Sequence, residues 1–104
     1  MMKNTKYTEA HLEAYRQHLI ADYIKYSSYS EGEHWMPHNF NVEFEPGQKY
    51  TRVVTTQTSS RSAHSFIDVD GKIWKSASWK APAKNFTRGD VTTGDFLKIR
   101  WCGV

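Results

Sequence analysis

Between Thr8 and Tyr26 the apolar positions recur at helical spacing. Leu12, Tyr15, Leu19, Tyr23 and Tyr26 fall on one stripe about 80° wide at 100° per residue. Thr8 is placed to cap the first turn, Glu9 and Glu13 bring negative charge to it, and Ser27-Ser28-Tyr29-Ser30-Glu31-Gly32 stops the run. The pattern predicts a helix over 8–26, with Glu13–Arg16 and Asp22–Lys25 as opposite-charge pairs on its outer surface. Residues 27–39 read as an irregular loop, because Pro37 forbids a regular element through it.

The period then shortens to two. Phe40-Asn41-Val42-Glu43-Phe44 alternates apolar and polar, and Pro46-Gly47 ends it. Tyr50 to Thr58 is rich in Thr and Val, which suits a second strand, and Ser59-Ser60-Arg61 reads as the turn after it. Ala63–Val69 and Lys72–Ser78 flank Asp70-Gly71, a strong hairpin signal. A two-residue turn there would set Ile67 opposite Trp74 and Phe66 opposite Lys75. Pro82 and Gly89 are spaced to open and close a short helical turn over 82–88. Phe96 to Trp101 alternates again, with Leu97, Ile99 and Trp101 on one face. The expected architecture is α+β: one N-terminal amphipathic helix packed on an antiparallel sheet of four to five strands, in a single domain over 1–104.

Composition tempers this picture. Ile, Leu, Val and Phe make up 19 of the 104 residues, about 18%, which is near the level associated with disorder. A net charge of only +3 and the large rigid area of four Trp and six Tyr restore a folded domain. No apolar run approaches a membrane span, and no hydrophobic leader follows Met1-Met2-Lys3. One cysteine makes neither an internal disulfide nor a cysteine zinc site.

Charge is unevenly spread: residues 1–45 carry a balance of −3 and residues 46–104 a balance of +6. A basic sheet and loop surface points to a polyanion, although exposed strands also carry Lys to discourage edge pairing. The densest stretch runs from Lys75 to Gly89 and places Lys75, Trp79, Lys80, Lys84, Asn85, Phe86 and Arg88 within fifteen residues. A helical turn at Pro82 would aim free N–H groups at a phosphate, with Lys80 beside them. Trp79 and Phe86 would either stack on bases or plug the core. Lys75 and Arg100 would extend the patch. The candidate ligand or phosphate site is therefore Lys75, Trp79, Lys80, Lys84, Asn85, Arg88 and Arg100.

Two stretches carry a resemblance. Arg61-Ser62-Ala63-His64-Ser65-Phe66 and Trp79-Lys80-Ala81-Pro82-Ala83-Lys84-Asn85-Phe86-Thr87-Arg88-Gly89-Asp90, closed by Trp101-Cys102-Gly103-Val104, resemble a signature of small uncharacterised proteins of tailed bacteriophages. The resemblance covers residues 50–104. It implies a phage origin and a place in the cytoplasm of a bacterial host, and it implies no activity.

The other chemistry is sparse. His11 and His18 share a helix flank with Asp22 and Lys25 and are expected to face solvent or a partner. His34 and His38 with Glu33 lack the four-ligand spacing of structural zinc, so neither a metal nor a cofactor is expected. His64, among small residues, reads as structural or binding, not as a general base. Cys102 has no readable base partner, and no P-loop, Rossmann or HExxH motif occurs. The expectation is thus a non-enzymatic accessory protein that binds nucleic acid or nucleotide phosphate. One alternative is an effector docking on a host protein through Tyr7, Tyr15, Tyr23, Tyr26, Tyr29, Trp35 and Met36; another is a small enzyme. The Tyr- and His-rich helix flanks also suit a homodimer.

Overall fold

The computed structural model describes residues 5–26, 40–57, 60–101 and 103. Helix α1 (Glu9–Tyr26) starts directly after its cap. Thr8 Oγ1 accepts the His11 N–H at 3.4 Å, while His11 Nδ1 accepts the Thr8 N–H at 3.0 Å. This is the reciprocal exchange of a capping box, with histidine in the place usually held by Glu or Gln. Tyr15, Leu19 and Tyr23 of the expected stripe are buried and Leu12 is half-buried. The Tyr26 side chain and the expected loop over 27–39 lie outside the described residues.

Strands β1 (Phe40–Pro46), β2 (Tyr50–Gln57), β3 (Ser60–Asp68), β4 (Lys72–Ser76) and β5 (Pro82–Asp90) form one antiparallel meander in chain order. The chain is α+β, as its pattern predicts. Because side chains alternate across a strand, each strand sends one set toward α1 and the other away from it. Phe40, Val42, Val53, Ile67 and Ile73 meet Tyr15, Leu19 and Tyr23 in one core, completed by Tyr7, Val91 and Ile99. Tyr23 stacks on Phe40 with centroids 4.4 Å apart, so aromatic area does the work that a thin aliphatic supply leaves undone. Val54 and Phe66, on the alternate parity, are buried on the outer face of the sheet.

Five expectations are corrected. The β3–β4 hairpin forms, but its register is one residue off: Phe66 pairs with Trp74 and Ile67 with Ile73. The observed register keeps two isoleucines together on the core face, whereas a one-residue slip would turn one of them outward. The connection is accordingly the three-residue type, with Gly71 at φ +91°. Asp68 Oδ1 accepts the N–H groups of Asp70 and Lys72, each at 3.0 Å, and fixes the turn. Ser60 and Arg61 lie in β3, so they are not part of a turn.

The segment from Pro82 is β5, not a helical turn. β4 offers it a free edge, and a seven-residue helix would have little of its own to hold it. Pro82 opens an edge strand, where its missing N–H costs no ladder bond. The poor fit is absorbed by bulging: residues 83–86 intervene where β4 supplies only Lys75.

Phe96–Trp101 is not a strand but a run of turns with isolated bridges Asp90–Asp95 and Arg100–Gly103. Ile99 is buried, yet Leu97, two residues earlier, is 93% exposed. The segment is drawn across to α1, where His18 Nε2–H donates to the Ile99 carbonyl at 2.8 Å and Asp22 accepts the Trp101 N–H at 2.8 Å. His18 and Asp22 thus anchor the C-terminal segment where contact with solvent or a partner was expected; the Glu13–Arg16 pair forms as predicted, at 3.3 Å.

Among the described residues, no helix is long and apolar enough to cross a membrane.

A candidate nucleic-acid interface on the outer sheet face

The face turned away from α1 is built from the alternate parity of the central strands. Arg52 pairs with Phe66 and Phe66 with Trp74, so three neighbouring strands each place a large side chain there. Tyr50 stands edge-on to Phe66 at 6.2 Å, and Trp74 Nε1–H donates to Asp68 Oδ2 at 2.9 Å. Lys84 reaches over this group from the bulge of β5. Its Nζ lies 5.4 Å from the Tyr50 ring centroid and 5.5 Å from that of Trp74, and it donates to the Tyr50 hydroxyl at 2.7 Å.

Trp79 sits in the β4–β5 connection, which folds back so that the Ala77 and Ser78 N–H groups both donate to the Ala81 carbonyl. Arg52 Nε–H donates to the Trp79 carbonyl at 2.8 Å and fixes the loop on the face. The indole lies 4.7 Å from the Arg52 guanidinium and 5.4 Å from that of Arg61. Glu45 binds both arginines, at 2.5 Å and 2.9 Å, and Glu43 approaches Arg61 at 3.7 Å. The hydrogen bonds from Arg52 and Arg61 hold the Glu45 carboxyl below its ordinary value, so this brace stays ionised. Arg88 lies 4.0 Å over the Phe86 ring. The result is a series of cation–aromatic pairs, geometry that rewards flat rings and negative charge together.

The candidate residues are divided by the fold. Trp79 and Phe86 stay 38% and 54% exposed, so neither plugs the core. Lys80 lines a shallow pocket of about 250 Å³ with Lys49, Tyr50 and Phe66, and Lys84 binds the same tyrosine. Among the described residues, no carboxylate pairs with Lys80, Lys84 or Arg88. Asn85 lies in the bulge and accepts the Phe86 N–H on its own Oδ1 at 2.7 Å. Lys75, two residues from core-facing Ile73, belongs to the helix-side face, and Arg100 approaches Asp22 at 3.2 Å. These two do not extend the patch. With β5 a strand, the expected ring of free N–H groups after Pro82 is also not formed.

Sequence reasoning missed Tyr50, Arg52, Arg61 and Trp74. The alternation of Tyr50 and Arg52 was a usable signal. Arg61 was hidden because the register shifts at Val53/Val54 opposite β3 and breaks simple parity counting.

That irregularity also brings His64 and Ser65 together on the helix side. His64 Nε2–H donates to the Arg100 carbonyl at 2.7 Å, so its Nδ1 accepts from Ser65 Oγ at 2.9 Å, and Ser65 Oγ in turn accepts from the Tyr15 hydroxyl at 2.8 Å. Burial lowers the His64 pKa and raises that of Tyr15. Both histidine nitrogens are engaged, so the residue ties α1, β3 and the C-terminal segment together. His34, His38 and Glu33 lie outside the described residues, among which no cluster of three metal-ligating side chains occurs.

Fold and surface together define a small α+β domain, one helix on a five-stranded antiparallel meander, with a cation–aromatic outer face. The chain belongs to a family of unknown function, DUF7717, whose profile matches residues 1–98. The family therefore takes in α1 as well as most of the stretch that resembles phage proteins. No curated protein and no solved structure matches it.

Proposed function

We propose that this domain is a non-enzymatic phage accessory protein acting in the host cytoplasm, and that it binds single-stranded nucleic acid on its outer sheet face. The observation that carries the reading is the exposed Trp79 indole against the Arg52 and Arg61 guanidinium groups, with Lys80 and Lys84 around Tyr50 and the exposed Phe86 under Arg88 on β5. Flat rings accept bases without regard to sequence, while the cations meet the backbone between them. A rigid duplex is a poorer fit, since its bases are stacked away from such rings. The phage origin rests on the resemblance of residues 50–104.

Binding to single- and double-stranded DNA and RNA at roughly 50 and 200 mM salt tests this. Three phosphate contacts on a single strand imply a log–log salt slope of about −2. Neutralising Lys80, Lys84 and Arg88 together should flatten that slope, and Trp79→Ala should weaken binding by about 1–3 kcal/mol. No binding at the lower salt would end the reading and favour a host protein as the partner. The tyrosines suggested for such a partner give it little support, because Tyr7, Tyr15 and Tyr23 are all buried.

A further inference from the structure

The helix-side face of the sheet changes character along its length. Where α1 covers it, its residues are Val42, Val53, Ile67 and Ile73. Towards the β2–β3 end the same parity carries Thr55, Gln57, Ser60, Ser62 and Lys75, with Thr55 paired to Ser62 and Gln57 to Ser60. Beside them Trp101 and Gly103 of the C-terminal segment, together with Phe40, wall one side of an open recess of about 530 Å³. That volume falls within the range of about 300–1,000 Å³ seen for small-molecule sites.

The C-terminal wall is held in place independently of any ligand. Asp22 accepts the Trp101 N–H, His64 Nε2–H donates to the Arg100 carbonyl, and Arg100 and Gly103 exchange two backbone hydrogen bonds of 2.9 and 3.2 Å. Trp101 and Phe40 stand perpendicular at 5.8 Å and give the recess an aromatic wall. Among the described residues Lys75 is the one ionised side chain lining it, and no salt bridge among them occupies it. His64 stands neutral in the floor with both nitrogens used, which suits binding and leaves no free base for proton transfer.

We propose that this recess binds a small phosphate monoester bearing a flat ring, of mononucleotide size. Lys75 and the hydroxyls receive the phosphate, and the half-buried Trp101 indole, backed by Phe40, receives the ring. The site lies on the face opposite the proposed nucleic-acid surface and does not depend on that reading. A free nucleotide and the 5′-phosphorylated end of a strand share this chemistry.

Titration of the full chain with AMP, followed by amide and indole NMR, tests the proposal. AMP should shift Thr55, Ser62, Lys75 and the Trp101 indole, while adenosine and inorganic phosphate each bind at least about tenfold more weakly. Lys75→Gln should weaken AMP at least about tenfold with an unchanged melting temperature, since Lys75 is exposed. Ser62→Phe, also at an exposed position, should fill the recess and abolish AMP binding while leaving the outer face intact. Comparing AMP with a 5′-phosphorylated dinucleotide separates the two ligand sources. No shifts at about 5 mM AMP, shifts confined to Trp79 and Lys84, or full affinity in Lys75→Gln would overturn it.

Discussion

Ser65 is the smallest member of the buried chain Tyr15–Ser65–His64, and removing its single oxygen should be the costliest change in it. In Tyr15→Phe, Ser65 keeps its bond to His64 Nδ1 at 2.9 Å and loses only a donor to its oxygen, so no buried donor is stranded. The cost should be about 1 kcal/mol, that of one net hydrogen bond. Ser65→Ala instead strands two groups, the Tyr15 hydroxyl and His64 Nδ1. Both parent residues are buried, Tyr15 at 0% exposure, so each group bears an unsatisfied cost of about 1–3 kcal/mol. The single variant should therefore lose about 2–6 kcal/mol, and its melting temperature should fall by about 4–8 °C for each kcal/mol. The double variant strands Nδ1 only. It should be about 1–3 kcal/mol more stable than Ser65→Ala, giving a coupling of about 2–4 kcal/mol. Urea unfolding of wild type, both single variants and the double variant measures this. Additive losses, or a Ser65→Ala cost under about 0.5 kcal/mol, would show that the three groups do not form one chain.

Leu19→Ala, at a site with 0% exposure in the centre of the α1–sheet contact, should cost about 2–4 kcal/mol in urea unfolding. Gly89→Ala should be still more disruptive, because an added Cβ would fall on the Asp95 carbonyl oxygen and 2.9 Å from Ile99 Cδ1; a soluble variant with wild-type melting would contradict the close approach of the C-terminal turns to β5. Asp70→Pro should cost more than about 1 kcal/mol by removing the N–H that Asp68 Oδ1 accepts, whereas Asp70→Asn should be nearly silent in a thermal melt. Stability should also depend on acid. Burial lowers the His64 pKa from its ordinary 6.5, so the unfolded chain takes up a proton that the folded chain refuses. The contribution of neutral His64 is full above about pH 6.5 and is lost progressively as the pH falls below it, and unfolding midpoints of wild type and His64→Asn should converge toward acid.

Local signals were enough for the elements whose cause is local. Thr8 and the apolar stripe specify α1 because a cap and a 3.6-residue period are properties of one segment. The alternation in Phe40–Phe44 and the glycine at position 71 likewise place strands and a turn. Register was not legible at that level, since Asp70-Gly71 is compatible with two turn lengths; the shared burial of Ile67 and Ile73 in the α1 core chose between them. Two segments were decided entirely by their neighbours. Pro82–Asp90 became a strand because β4 presented an open edge, and Phe96–Trp101 lost its strand because His18 and Asp22 satisfied its backbone from α1. The candidate surface divides in the same way. Its dense cluster of cations and aromatics can be read in one stretch of chain, but only tertiary structure adds Tyr50, Arg52, Arg61 and Trp74 and sends Lys75 to the opposite face. Composition sets which chemistry is available, and strand parity and register, which depend on contacts distant in sequence, set which side of the sheet can use it.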